Sequence, residues 1–140
     1  MNDFSTISDS RHRLLDTAQA LFHERGYRAV TMQDIARELG IRQASLYYHV
    51  PDGKEQLFVE MAMRNFEQHR IGLQAALDRA DGDLASALRA AAGWFTAQPP
   101  MNLLGMMHAD MPALSPENNR RLTLYATHCF FEPIAAMFAE

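Results

Sequence analysis

The spacing of apolar residues predicts that the chain begins with an amphipathic α-helix. The apolar positions recur at three- and four-residue steps, which places their side chains on one face of a helix. These positions are Leu14, Leu15, Ala18, Leu21 and Phe22. Ser8 or Asp9 is suited to cap the start of this helix, and Gly26 is suited to end it.

Thr31 and Gly40 mark the two ends of a second, two-turn helix. Thr31 and Asp34 have the T-x-x-D spacing of a capping box, in which each side chain accepts a hydrogen bond from the other residue's backbone N–H. The short apolar face of this helix consists of Ile35, Ala36 and Leu39. Gly40 can adopt the left-handed backbone conformation that a tight exit from the helix requires.

A third helix follows the turn at Gly40 and is predicted from about Gln43 to Val50. Ala36, four residues before the glycine, is small enough for two helices to approach closely. Leu46, six residues after it, is placed to anchor the third helix on the second. This spacing is typical of a helix-turn-helix unit.

Turn residues at 51–53 precede a long helix that begins at Lys54 and spans about 27 residues, or roughly 40 Å. Residues 81–83 break the long helix. The next apolar stripe predicts another helix, which Pro99 and Pro100 end. Its members are Leu84, Ala87, Leu88, Ala91, Trp94 and Phe95.

Two further helical segments are predicted towards the end of the sequence. Residues 101–110 are rich in methionine and indicate a short helix, and Pro116 suits the first turn of a last helix. Pro133 either kinks or ends that last helix. We find no β-type alternation and no internal repeat, so the predicted fold is all-α.

Composition narrows the class of protein. The single cysteine, Cys129, excludes an internal disulfide and favours the reducing cytoplasm. No run of about 18 apolar residues predicts a membrane span. The histidines lack the spacing of metal ligands, so we expect no metal or other cofactor. The net charge of −4 argues against nucleic-acid binding, but residues 1–54 hold seven basic and seven acidic residues, so the acidic excess lies entirely behind them.

The segment TMQDIARELGIRQASLYYHV, with the three-helix front end, resembles the DNA-binding module of the tetracycline-repressor (TetR) family of transcriptional regulators. The resemblance covers roughly residues 10–60 and includes the lysine at Lys54. It implies a helix-turn-helix DNA-binding domain over residues 1–53 and a helical regulatory domain for ligand binding and dimerisation over residues 54–140. Family members usually continue for further helices, so we expect a truncated chain or a dimer surface built from the last helix.

The resemblance implies that the third helix lies in the major groove of double-stranded DNA. The residues expected to contact bases are Gln33, Arg42, Gln43, Ala44 and Tyr47. Guanidinium suits guanine, a side-chain amide suits adenine, and a methyl group suits the thymine methyl. The residues expected to contact phosphates are Thr31, Ser45, Tyr48, His49 and Lys54.

The resemblance also implies a small-molecule effector site behind the DNA-binding domain. The expected ligand-binding residues are Phe66, His69, Trp94, Met106, His108 and Tyr125. Composition alone favours ordinary core packing for most of them. With the family in view, methionines and aromatic rings predict a site for an apolar or aromatic effector. The expected function is that of a homodimeric repressor released from a palindromic operator by this effector.

Two alternatives come from other classes of protein. A small helical enzyme would use His108 with Asp110, or Cys129 with His128, but no catalytic motif accompanies either pair. A helical protein-interaction domain would not bind DNA at all. We predict that the chain is not an enzyme.

Overall fold

The computed structural model describes residues 3–98 and 105–139, with side chains from Asp9 onward. Seven α-helices lie in the described ranges, together with two π-helical turns and one 3₁₀ turn. The helices are α1 (Asp3–Arg25), α2 (Met32–Leu39), α3 (Gln43–His49), α4 (Lys54–Asp78), α5 (Leu84–Ala97), α6 (Pro116–Ala126) and α7 (Glu132–Ala136). These ranges contain no strand, so the predicted all-α class is confirmed.

Helices α2 and α3 form the predicted helix-turn-helix unit. Thr31 Oγ1 accepts a hydrogen bond from the Asp34 N–H at 3.1 Å, and Asp34 Oδ2 accepts one from the Thr31 N–H at 3.0 Å. The capping box is therefore present. Gly40 has φ 71°, the left-handed conformation expected there. Leu46 is fully buried and Ala36 nearly so, which confirms their predicted packing.

Helices α1 and α4 support this unit from behind. Their contact centres on aromatic rings: Phe22 lies 5.2 Å from Phe58 between ring centroids, and Tyr27 lies 5.0 Å from Phe58. Helix α1 begins at Asp3, so the predicted cap at Ser8 or Asp9 is wrong, because both residues lie inside the helix. The end of α1 at Arg25, just before Gly26, agrees with the prediction.

Helix α5 rests on α4 through one close approach of a ring to the backbone. The Trp94 indole lies against Gly72, where an added Cβ would stand 2.6 Å from the ring. Glycine is therefore needed at this position for the ring to lie where it does. Helix α5 ends at Ala97, and the predicted stop at Pro99 and Pro100 lies outside the described residues.

The predicted Met-rich helix at 101–110 is only partly described, because its first four residues lie outside the described ranges. The described part contains a π-helical turn, Met106–Asp110. A 3₁₀ turn, Met111–Ala113, follows directly.

Both π-helical turns precede a proline. The first lies just ahead of Pro112, and the second, Thr127–Phe131, lies just ahead of Pro133. Proline has no N–H to donate to the carbonyl four residues earlier, and its ring crowds that carbonyl. The helix widens there, and the Glu132 N–H bonds to the Thr127 carbonyl instead. Pro133 therefore does not end the last helix, because α7 continues to Ala136.

One cluster of buried apolar side chains joins the front of the chain to the back. It includes Leu46 and Phe58 from the front helices, and Met111, Leu122 and Phe130 from the later segments. The boundary between residues 53 and 54 remains a prediction. Among the described helices, none is long and apolar enough to cross a membrane.

Candidate nucleic-acid interface and the cavity behind it

The first turn of α3 presents an uninterrupted exposed surface. Arg42 has extended backbone angles (φ −75°, ψ 147°) and occupies the N-cap position. Gln43, Ala44 and Ser45 follow it in the helix, and all four side chains are exposed. Leu46 points the opposite way, into the core. We call Arg42, Gln43, Ala44, Ser45 and Tyr47 the recognition surface.

Tyr47 and Tyr48 differ sharply in exposure, as expected for adjacent residues on a helix. Tyr47 is 41% exposed and Tyr48 is 83% exposed. The ring of Tyr47 lies close to Gly53, where an added Cβ would be 3.6 Å from its Cε1 atom. Both tyrosines are therefore accessible, and Tyr47 is held near the start of α4.

The end of α3 is fastened to the helices behind it. The His49 carbonyl accepts a hydrogen bond from Arg11 Nη1 at 2.7 Å, and Arg11 also pairs with Glu60 of α4. The His49 ring is exposed and lies 5.6 Å from the Tyr48 ring, edge to face. The Arg11 hydrogen bond and ion pair therefore tie the end of α3 to α1 and α4.

Gln33 and Thr31 extend the exposed face onto α2. Both are exposed, as their predicted roles require. The Thr31 oxygen accepts the capping bond from Asp34, which leaves its O–H proton available as a donor. Hydrogen bonds from Thr31, with Arg25 and Arg37 nearby, lower the pKa of Asp34, so a carboxylate stands at this edge.

Lys54 is positioned differently from the other predicted phosphate contacts. Its Nζ donates to the Tyr27 carbonyl at 2.9 Å and lies 4.2 Å above the centroid of the Tyr27 ring. Partial burial lowers the pKa of Lys54. The ammonium therefore joins the loop after α1 to the start of α4. A phosphate contact through its other N–H donors remains a prediction.

Arg28 is a candidate that the sequence analysis missed. It is exposed in the loop between α1 and α2. It directly follows the Tyr27 carbonyl that binds Lys54 Nζ, so its backbone lies beside the start of α4. The sequence feature that could have identified Arg28 is its position as a basic residue shortly before the helix-turn-helix unit.

A cavity of about 450 Å³ lies behind this unit. Helices α1, α4 and α5 and the segment at 105–110 surround it. Aromatic rings from three helices line it: Phe22, Phe58 and Trp94. Its volume lies within the range of about 300 to 1,000 Å³ for small-molecule sites.

The structure brings three of the six predicted ligand-binding residues to this cavity. They are His69, Trp94 and Met106. His69 packs edge to face against Trp94 with ring centroids 5.0 Å apart. Burial lowers the pKa of His69, which favours a neutral ring.

The other three predicted ligand-binding residues lie elsewhere. Phe66 is fully buried and packs against Phe130 at 5.4 Å between centroids. His108 is exposed to solvent. The Tyr125 hydroxyl donates to Glu67 at 2.6 Å. None of the three is among the cavity-lining residues, and a ligand contact for them is still only a prediction.

The sequence analysis missed the contribution of α1 to the cavity. Gln19, Phe22 and His23 all line it. Their helix lies in the predicted DNA-binding domain, and its apolar stripe predicts only an amphipathic helix. Only the packing of α1 along α4 makes this face part of the cavity.

Neither residue pair considered for an enzyme forms a catalytic arrangement. His108 is exposed, whereas Asp110 Oδ1 accepts a hydrogen bond from the Tyr27 N–H at 3.0 Å. Cys129 is fully buried, and burial raises the pKa of its thiol. His128 is exposed and pairs with Glu132. A buried, protonated thiol is a poor nucleophile.

Residues 14–61 match the family model for bacterial regulatory proteins of the tetR family. The matched segment contains α2, α3 and the whole recognition surface. The front of the chain is therefore similar to the DNA-binding module of that family. The resemblance identified from the sequence is thereby confirmed.

Relatives with known names are similar over part of this chain. It is 38% identical over 81 residues to the HTH-type transcriptional regulator LmrA of Bacillus subtilis, covering 55% of this chain and 43% of that protein. It is 45% identical over 71 residues to the HTH-type transcriptional repressor KstR2 of Rhodococcus jostii, covering 51% of this chain and 34% of that protein. The chain thus spans less than half the length of these relatives. Both relatives are named as HTH-type transcriptional regulators or repressors.

Solved structures resemble the chain over nearly its full length. The tetR-family regulator PfmR of Thermus thermophilus has a TM-score of 0.60 at 27% identity, covering 91% of this chain and 74% of that one. A TetR/AcrR regulator of Thermobifida fusca has a TM-score of 0.65 at 23% identity, covering 94% of this chain and 69% of that one. The second likeness concerns the fold alone.

Proposed function

We propose that this chain is a sequence-specific DNA-binding transcriptional regulator of the tetR family, acting as a repressor that a small molecule releases from a palindromic operator. The exposed recognition surface carries this proposal. Its side chains are accessible on the first turn of a helix whose opposite side is anchored by Leu46. A helix inserted in the major groove needs one side anchored in the protein and the other side accessible to DNA.

The chemistry of the recognition surface suits base edges. Arg42 can donate two hydrogen bonds to guanine O6 and N7, and Gln43 can pair with adenine N6 and N7. Ala44 offers a methyl group to thymine, and Tyr47 offers a hydroxyl. Ser45, Tyr48, His49 and Thr31 supply neutral donors that would position the helix on phosphates. Few of these groups are charged, so a moderate salt dependence is expected.

Selection of bound sequences from a random duplex pool tests the proposal. Arg42→Ala and Gln43→Ala are then compared with the parent on the selected site. Each loss is expected to cost about 1 to 3 kcal/mol and to relax the preference at one base position. Arg120→Ala is the matched control, because Arg120 is an exposed arginine on α6. Unchanged sequence preference in both variants contradicts the base-contact assignments.

The route from the cavity to the DNA-binding unit passes through Tyr27 in our proposal. Asp110 lines the cavity and accepts a hydrogen bond from the Tyr27 N–H. The Tyr27 carbonyl accepts one from Lys54, the first residue of α4. The Tyr27 ring packs against both Phe22 and Phe58, which line the cavity. A ligand that shifts these groups would move the loop before α2, and a coupling of about 1 to 3 kcal/mol is typical of such switches.

A palindromic operator requires two copies of the protein. Half-sites about one helical turn of DNA apart, about 34 to 36 Å, would each receive one α3. In the single chain, three large apolar side chains from α6 onward are exposed to solvent: Leu124 (64% exposed), Phe131 (59%) and Phe138 (60%). We expect a homodimer that covers part of this face. Light scattering that shows a strict monomer at working concentration would remove the paired-site mechanism.

A further inference from the structure

The electrostatic character of the cavity restricts the charge of its ligand. Asp110 is the one acidic side chain among the described residues that line the cavity, and no lysine or arginine lines it. Burial lowers the pKa of His69, which also lines the cavity, and so disfavours a positive charge on its ring. His23 lies on the exposed rim. An anion entering this space would therefore approach a carboxylate, and the described lining residues include no lysine or arginine to attract it.

Asp110 is held in place by a hydrogen bond and not by an ion pair among the described residues. Its Oδ1 accepts one hydrogen bond, from the Tyr27 N–H at 3.0 Å. In the described part of the chain, no basic side chain forms an ion pair with it. A carboxylate has capacity for several hydrogen bonds, so Asp110 can still accept donors from a ligand.

The remaining lining favours a flat ring system. Phe22, Phe58 and Trp94 provide aromatic surface, and such surface also attracts positive charge. The side-chain amides of Asn65 and Gln68 offer both donors and acceptors to polar substituents. This lining suits an aromatic compound that carries O–H or N–H groups.

We propose that the cavity takes an aromatic ligand that is uncharged or positively charged, directs one of its O–H or N–H donors to Asp110, and discriminates against anions through that carboxylate. This rests on the ligand response proposed above. It adds a charge class to the expectation of an apolar or aromatic effector and assigns the selectivity to one residue.

Three naphthalene compounds of similar size test the charge selectivity: 1-naphthylmethylamine as the cation, 1-naphthalenemethanol as the neutral donor, and 1-naphthoate as the anion. Trp94 is the only tryptophan in the chain and lines the cavity, so its fluorescence reports binding directly. We expect the amine and the alcohol to bind at least about tenfold more tightly than the anion. Anion binding equal to or tighter than that of the amine overturns the proposal, and so does the failure of all three to bind at millimolar concentration.

Asp110→Asn isolates the contribution of the carboxylate. Asparagine can still accept the Tyr27 N–H, so the fold should be retained, and a melting curve checks this. We expect the preference for the amine over the anion to fall about tenfold. Glu117→Gln, which removes one exposed negative charge on α6 away from the cavity lining, should leave the preference unchanged. An unchanged preference in Asp110→Asn contradicts the assignment.

These measurements use the DNA-free protein. The selection from random duplex DNA uses the ligand-free protein. A protein that binds no DNA but shows the charge preference would refute the regulator and leave the cavity assignment standing. The reverse result would refute only the cavity assignment.

Discussion

The two short helices of the helix-turn-helix unit are held more firmly than the longer α5. Helix α3 has seven residues, yet Leu46 within it is fully buried. Helix α5 has fourteen residues, and its one buried residue is Ala91. Three of its large apolar side chains remain 39 to 45% exposed: Leu84, Leu88 and Phe95.

The difference shows that helix length and apolar content do not by themselves decide burial. Helices α2 and α3 are fixed by a capping box, a left-handed glycine and an anchor that enters the common core. Helix α5 contributes no residue to that core cluster. It lies against α4, where the Trp94 ring packs on Gly72. The front unit is therefore suited to hold a rigid surface, and α5 is suited to form one wall of a cavity.

Leu46→Ala should produce the largest effect, because it removes the anchor of α3 from a fully buried site. Truncating a buried leucine typically lowers the free energy of unfolding by about 2 to 5 kcal/mol. Urea denaturation measures the change. Tyr48→Ala is the control on the same helix, because this side chain is 83% exposed and should alter stability by less than about 0.5 kcal/mol. Equal losses in the two variants would show that α3 is not anchored as described.

Gly72→Ala should have the next largest effect and should act on α5. Its Cβ would stand 2.6 Å from the Trp94 ring, so the ring must move. Overpacking of this kind costs about 1 to 3 kcal/mol, and the displaced indole should change its fluorescence spectrum. Gly93→Ala is the control within α5, because its Cβ would meet nothing within 4 Å. That change should be neutral or stabilise the helix by up to about 1 kcal/mol. An unshifted spectrum in Gly72→Ala contradicts the packing of α5.

Loss of the Glu67 carboxylate, on α4, should lower the stability of the fold by a smaller amount that depends on pH. Hydrogen bonds from Arg70 and Tyr125 lower its pKa from 4.5 to about 2. Because the folded-state pKa is depressed, the carboxylate stabilises the protein above pH 4.5, and this contribution is lost as the pH falls towards 2. The hydrogen bond between Tyr125 and Glu67 also raises the pKa of Tyr125 to about 12.

Glu67→Gln should therefore flatten the acid limb of the stability profile between pH 4.5 and 2, as measured by urea midpoints. The effect should be modest, because about a third of this side chain is exposed and solvent screens it. Glu38→Gln, an exposed change on α2, serves as the control. If Glu67→Gln retains the full acid dependence, the bonds to Arg70 and Tyr125 do not stabilise the fold.

Local signals predicted the front unit well because its geometry depends on nearby residues. A capping box, a left-handed glycine and an anchor six residues later all act within one or two turns of the chain. The recognition surface follows directly, since burial of Leu46 leaves its helical neighbours exposed. The start of α1 was predicted poorly, because a residue capable of capping does not end a helix that can continue past it.

The cavity was predicted only in part because its walls come from distant parts of the sequence. Trp94 and Met106 were identified from residue type, and His69 from its position on α4. Nothing in the local pattern predicts that Gln19 and Phe22 face the same space, because that depends on how α1 crosses α4. Lys54 was likewise assigned to phosphate alone, while the structure also places its ammonium on the Tyr27 carbonyl and ring.

The all-α class, the bounds of α2 and α3 and the exposed residues of the third helix follow from the order of amino acids alone, because caps, turns and periodicity operate through neighbours along the chain. Long-range packing sets which side chains line the cavity, brings Asp110 to Tyr27, and leaves α5 at the edge of the core. Packing between distant segments depends on the fit of whole surfaces. A residue's type does not specify which distant surface it meets.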